Sequence, residues 1–407
     1  MPAERDGAKI REWRRILGFS QERLAEEVGV SVRSVIAAEK DKAGFKVKAA
    51  IMRYLKLRPS GARSESESRD QPMRASHVPL QTLLRRSGVM PCDELLDARV
   101  IKRLGAKFAI GDVLFESEIG DWDGVTPTAI QTEITSTAEE RMPEFVKSTR
   151  KVVRLNGKDK NKPKVCLIDW EGPVLDQDEI VTLKFCGSDF LYNCAVESNI
   201  TLLKTEMLAG RVAMGDFPRM FGVPIVVLTA DNHVILGKRP GHLRYYANHW
   251  NVTIGECSDP SADCDQHGRF RPELSVQRAL TERDELNLPP DLVDSASIRF
   301  LGLATEWNLL ASNIITLVRL NTASGDAMSY WRKGEIVALD SVEFTVRNAT
   351  KLLRDGIYEM PERPKTRAPI SDLYRVCLLT ALLATYPREA IERELLAAAK
   401  SESQSVN

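Results

Sequence analysis

From Lys9 the apolar residues fall at Ile10, Trp13, Ile16 and Leu17, the three-and-four spacing of one helix face. Gly18 ends that run. Ser20 is placed as an N-cap for a second helix with Leu24, Ala25 and Val28 inward. Arg23 stands where a capping box would carry Glu, so the box is incomplete. Gly29 suits the left-handed residue that closes this helix. Ser31 caps a third helix over about 32–40, with Val35, Ile36 and Ala38 available for packing. A fourth is predicted over about 46–57, with Val47, Ile51 and Leu55 inward.

The pattern then changes. Residues 59–79 are rich in Ser, Pro, Gly and Arg and have no apolar period, which predicts a flexible linker. In 80–215, segments 80–86 and 91–104 read as helices, and 164–170 and 179–185 as strands rich in β-branched residues. Residues 126–134 form another candidate strand. The basic run over 147–164 reads as a solvated turn between a helix and a strand. From 216 the periods alternate again. Strands are expected at 223–228 and 234–239, with Asp231-Asn232 in the hairpin turn. The segment 250–256 and a long loop lead to a helix over 272–286. Strands over 298–303 and 313–319, a strand-helix over 340–353 and a helix over 372–386 complete the body, which ends near 397. Residues 398–407 are expected to be a disordered tail.

A length of 407 residues suits several domains, and 43% hydrophobic with 28% charged residues excludes a mostly disordered chain. No stretch approaches the ~18 apolar residues of a membrane span. The opening MPAERDGAKIREWRR lacks the apolar core of a signal peptide, and seven scattered cysteines fit a reducing compartment, so a cytoplasmic location without membrane contact is expected. The net charge of zero conceals an asymmetry. Residues 1–58 hold fourteen Lys/Arg against eight acids, a surplus of six, and the remainder carries the opposite excess. A basic head on an acidic body points to a nucleic-acid module.

Two short helices joined by a glycine turn have helix-turn-helix geometry. The words GFSQERLAEEVGVSVRSVIAAEK resemble the Cro/repressor (Xre-type) DNA-binding family through Gly18, Ser20, Gln21, Leu24, Ala25, Gly29, Val30, Ser31, Val35, Ile36 and Glu39. The resemblance covers about 7–58. It implies that the third helix enters the major groove of double-stranded DNA, with Ser31, Val32, Arg33 and Ser34 at its start near base edges. Gln21 would contact the phosphate backbone or the recognition helix. Arg33 is the candidate for bidentate guanine contact, and Lys40 and Lys42 for phosphate contact. Ala37 and Ala38 depart from the family's larger residues. Homodimer formation is an expectation from the same resemblance.

VLTADNHVILGKR, HWNVTIGE and LSVQRALTERDELNL together resemble the Nudix hydrolase family over about 217–397. There, glutamates one turn apart on a helix bind Mg²⁺, which neutralises a diphosphate and activates water. Aligned on Arg278, Ala279 replaces the first Glu, Glu282 matches the second and Arg283 falls on the third. Asp284-Glu285-Leu286-Asn287-Leu288 matches the motif's end two residues later, with Asn287 in place of Gly. Neither register keeps the acidic set, so weak or absent hydrolysis is expected. Glu256, Glu273, Glu282 and Glu285 are the candidate metal ligands, with Glu282 and Glu285 the catalytic candidates. Mg²⁺ is the implied cofactor if the site is active. The resemblance also makes Arg239, Tyr245, Trp250 and Arg278 candidate contacts to a nucleotide or phosphorylated small molecule. Trp250 equally reads as core, and Arg278 as the structural partner of an acid. Cys257, Cys264 and His267 are zinc-type ligands but lack a paired spacing.

The expected architecture is multidomain: an all-α helix-turn-helix head (1–58), a linker (59–79), an α/β segment of unassigned role (80–215) and a Nudix-like α/β/α sandwich (216–397). The body as a whole is then α+β. The expected function is a DNA-binding transcriptional regulator with a non-catalytic ligand sensor. The alternatives are a Mg²⁺-dependent nucleoside-diphosphate hydrolase with a DNA-binding head, or a protein–protein adaptor in a stress or defence system.

Overall fold

Ser31 adopts extended backbone (φ −72°, ψ 151°), and its hydroxyl accepts the Ser34 amide at 3.1 Å, so helix α1, Val32–Glu39, begins where the cap pattern places it. The computed structural model describes residues 10, 21, 24, 25, 30–40, 42, 51, 90, 91, 113–118, 129–153, 161–171, 180–209, 211, 212, 217–283, 285–361 and 363–405. The chain forms two units, Met1–Val78 and Pro79–Asn407. In the first, Ile10, Leu24, Ala25, Val35, Ala38 and Ile51 are all buried, the same positions that the helical period directs inward. Ile36 is only half-buried. Gly18, Gly29, the remainder of the second and fourth helices, the linker 59–79 and the helix expected at 80–86 lie outside the described residues, as does most of that at 91–104.

The second unit is an α+β body. It runs β1 (Met90–Pro91), β2 (Val113–Glu118), β3 (Ala129–Thr137), α2 (Ala138–Arg141), α3 (Glu144–Val152), β4 (Pro163–Glu171), β5 (Ile180–Asp189), α4 (Phe190–Ser198) and α5 (Ile200–Leu208). Then come β6 (Arg219–Leu228), β7 (His233–Lys238), β8 (Trp250–Asn251), β9 (Ile254–Cys257), α6 (Pro272–Thr281), α7 (Pro290–Asp294), β10 (Ser297–Glu306) and β11 (Ala311–Arg319). The chain closes with α8 (Ser324–Ser329), β12 (Ala338–Glu343), α9 (Val346–Asp355), β13 (Ile357–Met360), β14 (Arg363–Pro369), α10 (Asp372–Leu383) and α11 (Arg388–Ser405).

β1 to β12 form one mixed sheet, and β13 and β14 a separate ribbon. The main path runs β1-β2-β10-β11-β6-β4-β5-β3, so strands from 80–215 and from 216–397 share the sheet without a break. β6 is its hub. It lies parallel to β11, and along its other edge it meets β4 at Met220, β9 over Gly222–Ile225 and β7 at Leu228. Successive residues of a strand point to opposite faces. Val226 and Leu228 therefore join Ile315 and Leu317 against Val376 and Leu379 of α10 and Leu353 of α9. Val223, Ile225 and Val227 join Ile314 and Val318 against Val276 and Leu280 of α6. Helices thus cover both faces, which is why these strands read as unbroken apolar runs. A third cluster packs Cys166, Ile168 and Cys186 against α2 to α5.

Three expectations are corrected. The helix over 272–286 stops at Thr281, because Leu286 and Leu288 turn back into the core beside Leu280, with the Leu288 amide on the Leu280 carbonyl at 2.9 Å. Asn287 takes the left-handed backbone (φ 56°) in that turn. The tail is helical to Ser405, continuing a helix anchored by buried Ile391 and Leu395 through the strong helix formers Leu396 to Lys400. Trp250 is core: its ring is fully buried, packs edge-on to Tyr358 at 5.0 Å and donates to the Thr366 carbonyl at 3.0 Å. Trp250→Ala should lower unfolding free energy by ~3–5 kcal/mol in urea titration, and a loss below ~1 kcal/mol would contradict that placement.

Candidate functional site

Between β6, β9, the facing ends of β10 and β11, and the start of α10 lies a cleft of about 510 Å³. Two glycines permit the backbone approach that shapes it. A Cβ on Gly255 would overlap the Tyr374 hydroxyl, and one on Gly222 would come 2.6 Å from Asn313 Oδ1. Tyr245, Tyr246 and Tyr374 supply aromatic walls, with Tyr246 and Tyr374 edge to face at 6.2 Å. Tyr246 is held at φ 53°, an unfavourable backbone for a bulky residue, and among the described residues its buried hydroxyl has no hydrogen-bond partner. A neighbouring hollow of about 260 Å³ shares Met220, Tyr245 and Leu309 and is lined also by Glu197.

The polar lining is led by carboxyls. Glu306, at the end of β10, is 7% exposed and accepts from Asn313 Nδ2 at 3.1 Å. Burial pushes its pKa up to about 8; the Asn313 hydrogen bond opposes this and the Asp372 charge adds to it. Glu256 on β9 is also raised, by burial first, against the opposing charges of Arg278 and Lys164. Arg239 Nη2 forms an ion pair with Glu335 at 3.5 Å, while among the described residues its buried Nε has no hydrogen-bond partner.

Beside the cleft, Arg278 of α6 organises a charge cluster. Its Nε and Nη2 grip buried Asp263 at 2.7 and 2.9 Å, a bidentate pair. Nη1 reaches Glu282 at 3.1 Å and Glu256 at 3.5 Å, and Nη2 the Cys257 carbonyl at 3.4 Å. Asp263 also accepts from Ser275 Oγ at 2.7 Å and the Asp259 amide at 2.9 Å. Burial opposes the charge on Arg278, but Asp263, Glu256 and Glu282 outweigh it and hold the guanidinium firmly protonated.

Of the residues singled out from sequence, Arg239 and Tyr245 line the cleft, Trp250 does not, and Arg278 is the partner of acids rather than a free ligand contact. The four acids expected to hold a metal do not converge as a ligand set; two of them, Glu256 and Glu282, share Arg278 Nη1. Glu273 pairs with Arg271 at 3.6 Å. Glu285 is buried beyond the end of α6, its Oε2 without a partner among the described residues and its pKa driven well up by burial. Among the described residues no three His, Cys, Asp or Glu side chains converge to hold a metal ion. Mg²⁺ does not fit this arrangement, because a fixed guanidinium already stands among the carboxylates and would repel it. Cys257, Cys264 and His267 likewise form no ligand set: Cys264 Sγ donates to the Pro260 carbonyl at 2.6 Å, and His267 contacts Gln266.

Glu306, Asn313, Tyr246 and Tyr374 are the site residues that periodicity does not single out. Their only trace is a polar residue at the end of an apolar strand, as in Asn313 opening NIITLVR. In the head, Ser31, Arg33, Lys40 and Lys42 are exposed and Val32 and Ser34 half-buried, while Gln21 donates to Glu39 of α1 at 2.6 Å.

No protein-family model matches this chain, and no curated protein sequence matches it. Arg278→Met strands the buried Asp263 charge and should cost ~3–5 kcal/mol of stability in urea unfolding, with Arg278→Lys recovering less than half because an ammonium cannot make the paired contact. A loss below ~1 kcal/mol for Arg278→Met would contradict this role.

Proposed function

We propose that this chain is a DNA-binding regulator whose Xre-type head reads double-stranded DNA and whose Nudix-like body binds a small nucleotide-type ligand without hydrolysing it. The observation that carries the reading is the division of α1: Val35 and Ala38 are buried, Ser31 and Arg33 are exposed at its start, and Lys40 and Lys42 are exposed at and just beyond its C-terminal end. That division leaves exposed Arg33 near the helix's N-terminal end for base edges and its basic end for phosphates. The surplus of six positive charges in 1–58 supports it.

Two observations support the reading of the body. Asn287, which stands where the Nudix motif has glycine, has the left-handed backbone that glycine favours. Arg278 supplies the positive charge among Glu256, Asp263 and Glu282, in place of a divalent cation. Ligand binding in the cleft would act by shifting the balance between DNA-competent and incompetent arrangements of paired heads in a homodimer. Two such heads would read half-sites about one helical turn apart.

The test is a gel-shift titration of the full chain against a selected DNA duplex across salt concentrations. Log affinity should fall linearly with log salt, at about −0.9 per phosphate neutralised. Lys42→Ala should reduce that slope by about 1 with no change in sequence preference. Arg33→Ala should cost ~1–3 kcal/mol at one base position and relax discrimination there. No binding at ~50 mM salt, or identical behaviour of Arg33→Ala, would contradict the DNA reading.

A further inference from the structure

The cleft's hydrogen-bonding floor is specific about what it accepts. Among the described residues Glu306 accepts one hydrogen bond, on Oε1 from Asn313, and its second oxygen has no partner. Asn313 spends its Nδ2 on Glu306 and on the Ala311 carbonyl at 3.3 Å, which leaves its Oδ1 as an acceptor. Both residues are more than nine-tenths buried, and both line the cleft. Two adjacent acceptors, one of them a carboxyl, call for two adjacent N–H donors. The walls call for a flat group, since Tyr246 and Tyr374 meet edge to face at 6.2 Å around the same space. The lining argues against phosphate as the leading contact: Glu256 and Glu306 are acids, and Arg239 already faces Glu335.

We propose that the cleft binds a planar small ligand through paired N–H donors, the edge of an amidine, a guanidine or a guanine-type base, seated on Glu306 and Asn313 and packed against the tyrosine wall. This rests on the reading of the body as a ligand-binding module and names the chemistry of that ligand. Burial without a cation explains why the Glu306 carboxyl is hard to ionise, and an incoming amidinium supplies the missing charge. The titratable groups facing Glu306 are Asp372, Tyr374 and Cys377 on α10, with Arg239 and Glu256 also lining the cleft. Asp372 disfavours the carboxylate, and burial pushes the Tyr374 hydroxyl and the Cys377 thiol well above their ordinary pKa values, so both stay neutral where Glu306 titrates. For the same reason Glu306 lowers folding stability progressively as pH rises from about 4.5 to about 8, since the folded state holds a proton the unfolded state has released.

The test is calorimetric titration of the full-length protein with three probes: benzamidine, guanosine and ADP. Benzamidine or guanosine should bind, and which of the two does so identifies the source of the paired donors. Benzamidine affinity should rise as pH goes from 6 to 8, by up to tenfold per unit, and level off above, because its cation pairs with the ionised Glu306. Glu306→Gln should weaken the binding probe at least tenfold and abolish the pH dependence. It should fold normally, being a neutral isostere of the buried acid, and thermal melts at pH 8 should show it at least as stable as the wild type. Tyr246→Leu, which removes a wall and leaves the acceptors, should also weaken binding. ADP binding tightest, equal binding by Glu306→Gln, or binding of neither benzamidine nor guanosine would overturn the proposal. A probe that binds but leaves DNA affinity unchanged would keep this ligand class and count instead against a sensor coupled to the head.

Discussion

The bidentate pair between Arg278 and Asp263 is the contact on which the body's chemistry depends. It joins α6 to the loop after β9, and the same guanidinium collects Glu256 and Glu282. Asp263 is fully buried, so its charge needs a partner at all times. A guanidinium meets that need with fixed geometry and cannot be deprotonated in a protein. A dissociable metal would have to compete with a covalently tethered cation for these acids. The cluster is therefore a permanent structural element beside the cleft.

The cleft itself follows from the way β6 changes neighbours. Along one edge it pairs with β4, then β9, then β7, while β11 follows the opposite edge in parallel. Parallel pairing brings Asn313 of β11 opposite Gly222 of β6, and the β10–β11 register places Ala304 opposite Asn313. Glu306, two residues after Ala304, points to the same face as Asn313. α10 then lays Tyr374 over Gly255, where only a glycine leaves room. Three separate stretches of chain thus bring an acid, an amide and a phenol into one space.

Much of this architecture is legible in the chain because local rules decide it. The Ser31 cap, the inward positions of the head and the hairpin at Asp231-Asn232 depend on neighbours a few residues away, and Asn232 takes the left-handed backbone such a turn needs (φ 56°). Strands covered on both faces show as apolar runs, so β4, β6, β10 and β11 are found, though their ends shift by up to four residues. The errors arise where tertiary burial overrides local preference. Nothing near Thr281 stops a helix; burial of Leu286 and Leu288 does. Trp250 reads equally well as a ligand contact or as core until its neighbours are known. Glu306 and Asn313 are single polar residues in separate strands, and no spacing rule joins them, because their meeting depends on sheet register. The acids at 273, 282 and 285 do appear as a set in the sequence, and the chain sends them to three different environments.

The proposal that the body holds its acids with a guanidinium and binds a ligand without hydrolysing it is tested most directly by product release from a panel of nucleoside diphosphates and their derivatives incubated with the full-length protein and Mg²⁺. No turnover above the protein-free control is expected. Turnover that Glu282→Ala abolishes would contradict it, because Glu282 would then be serving a metal rather than Arg278.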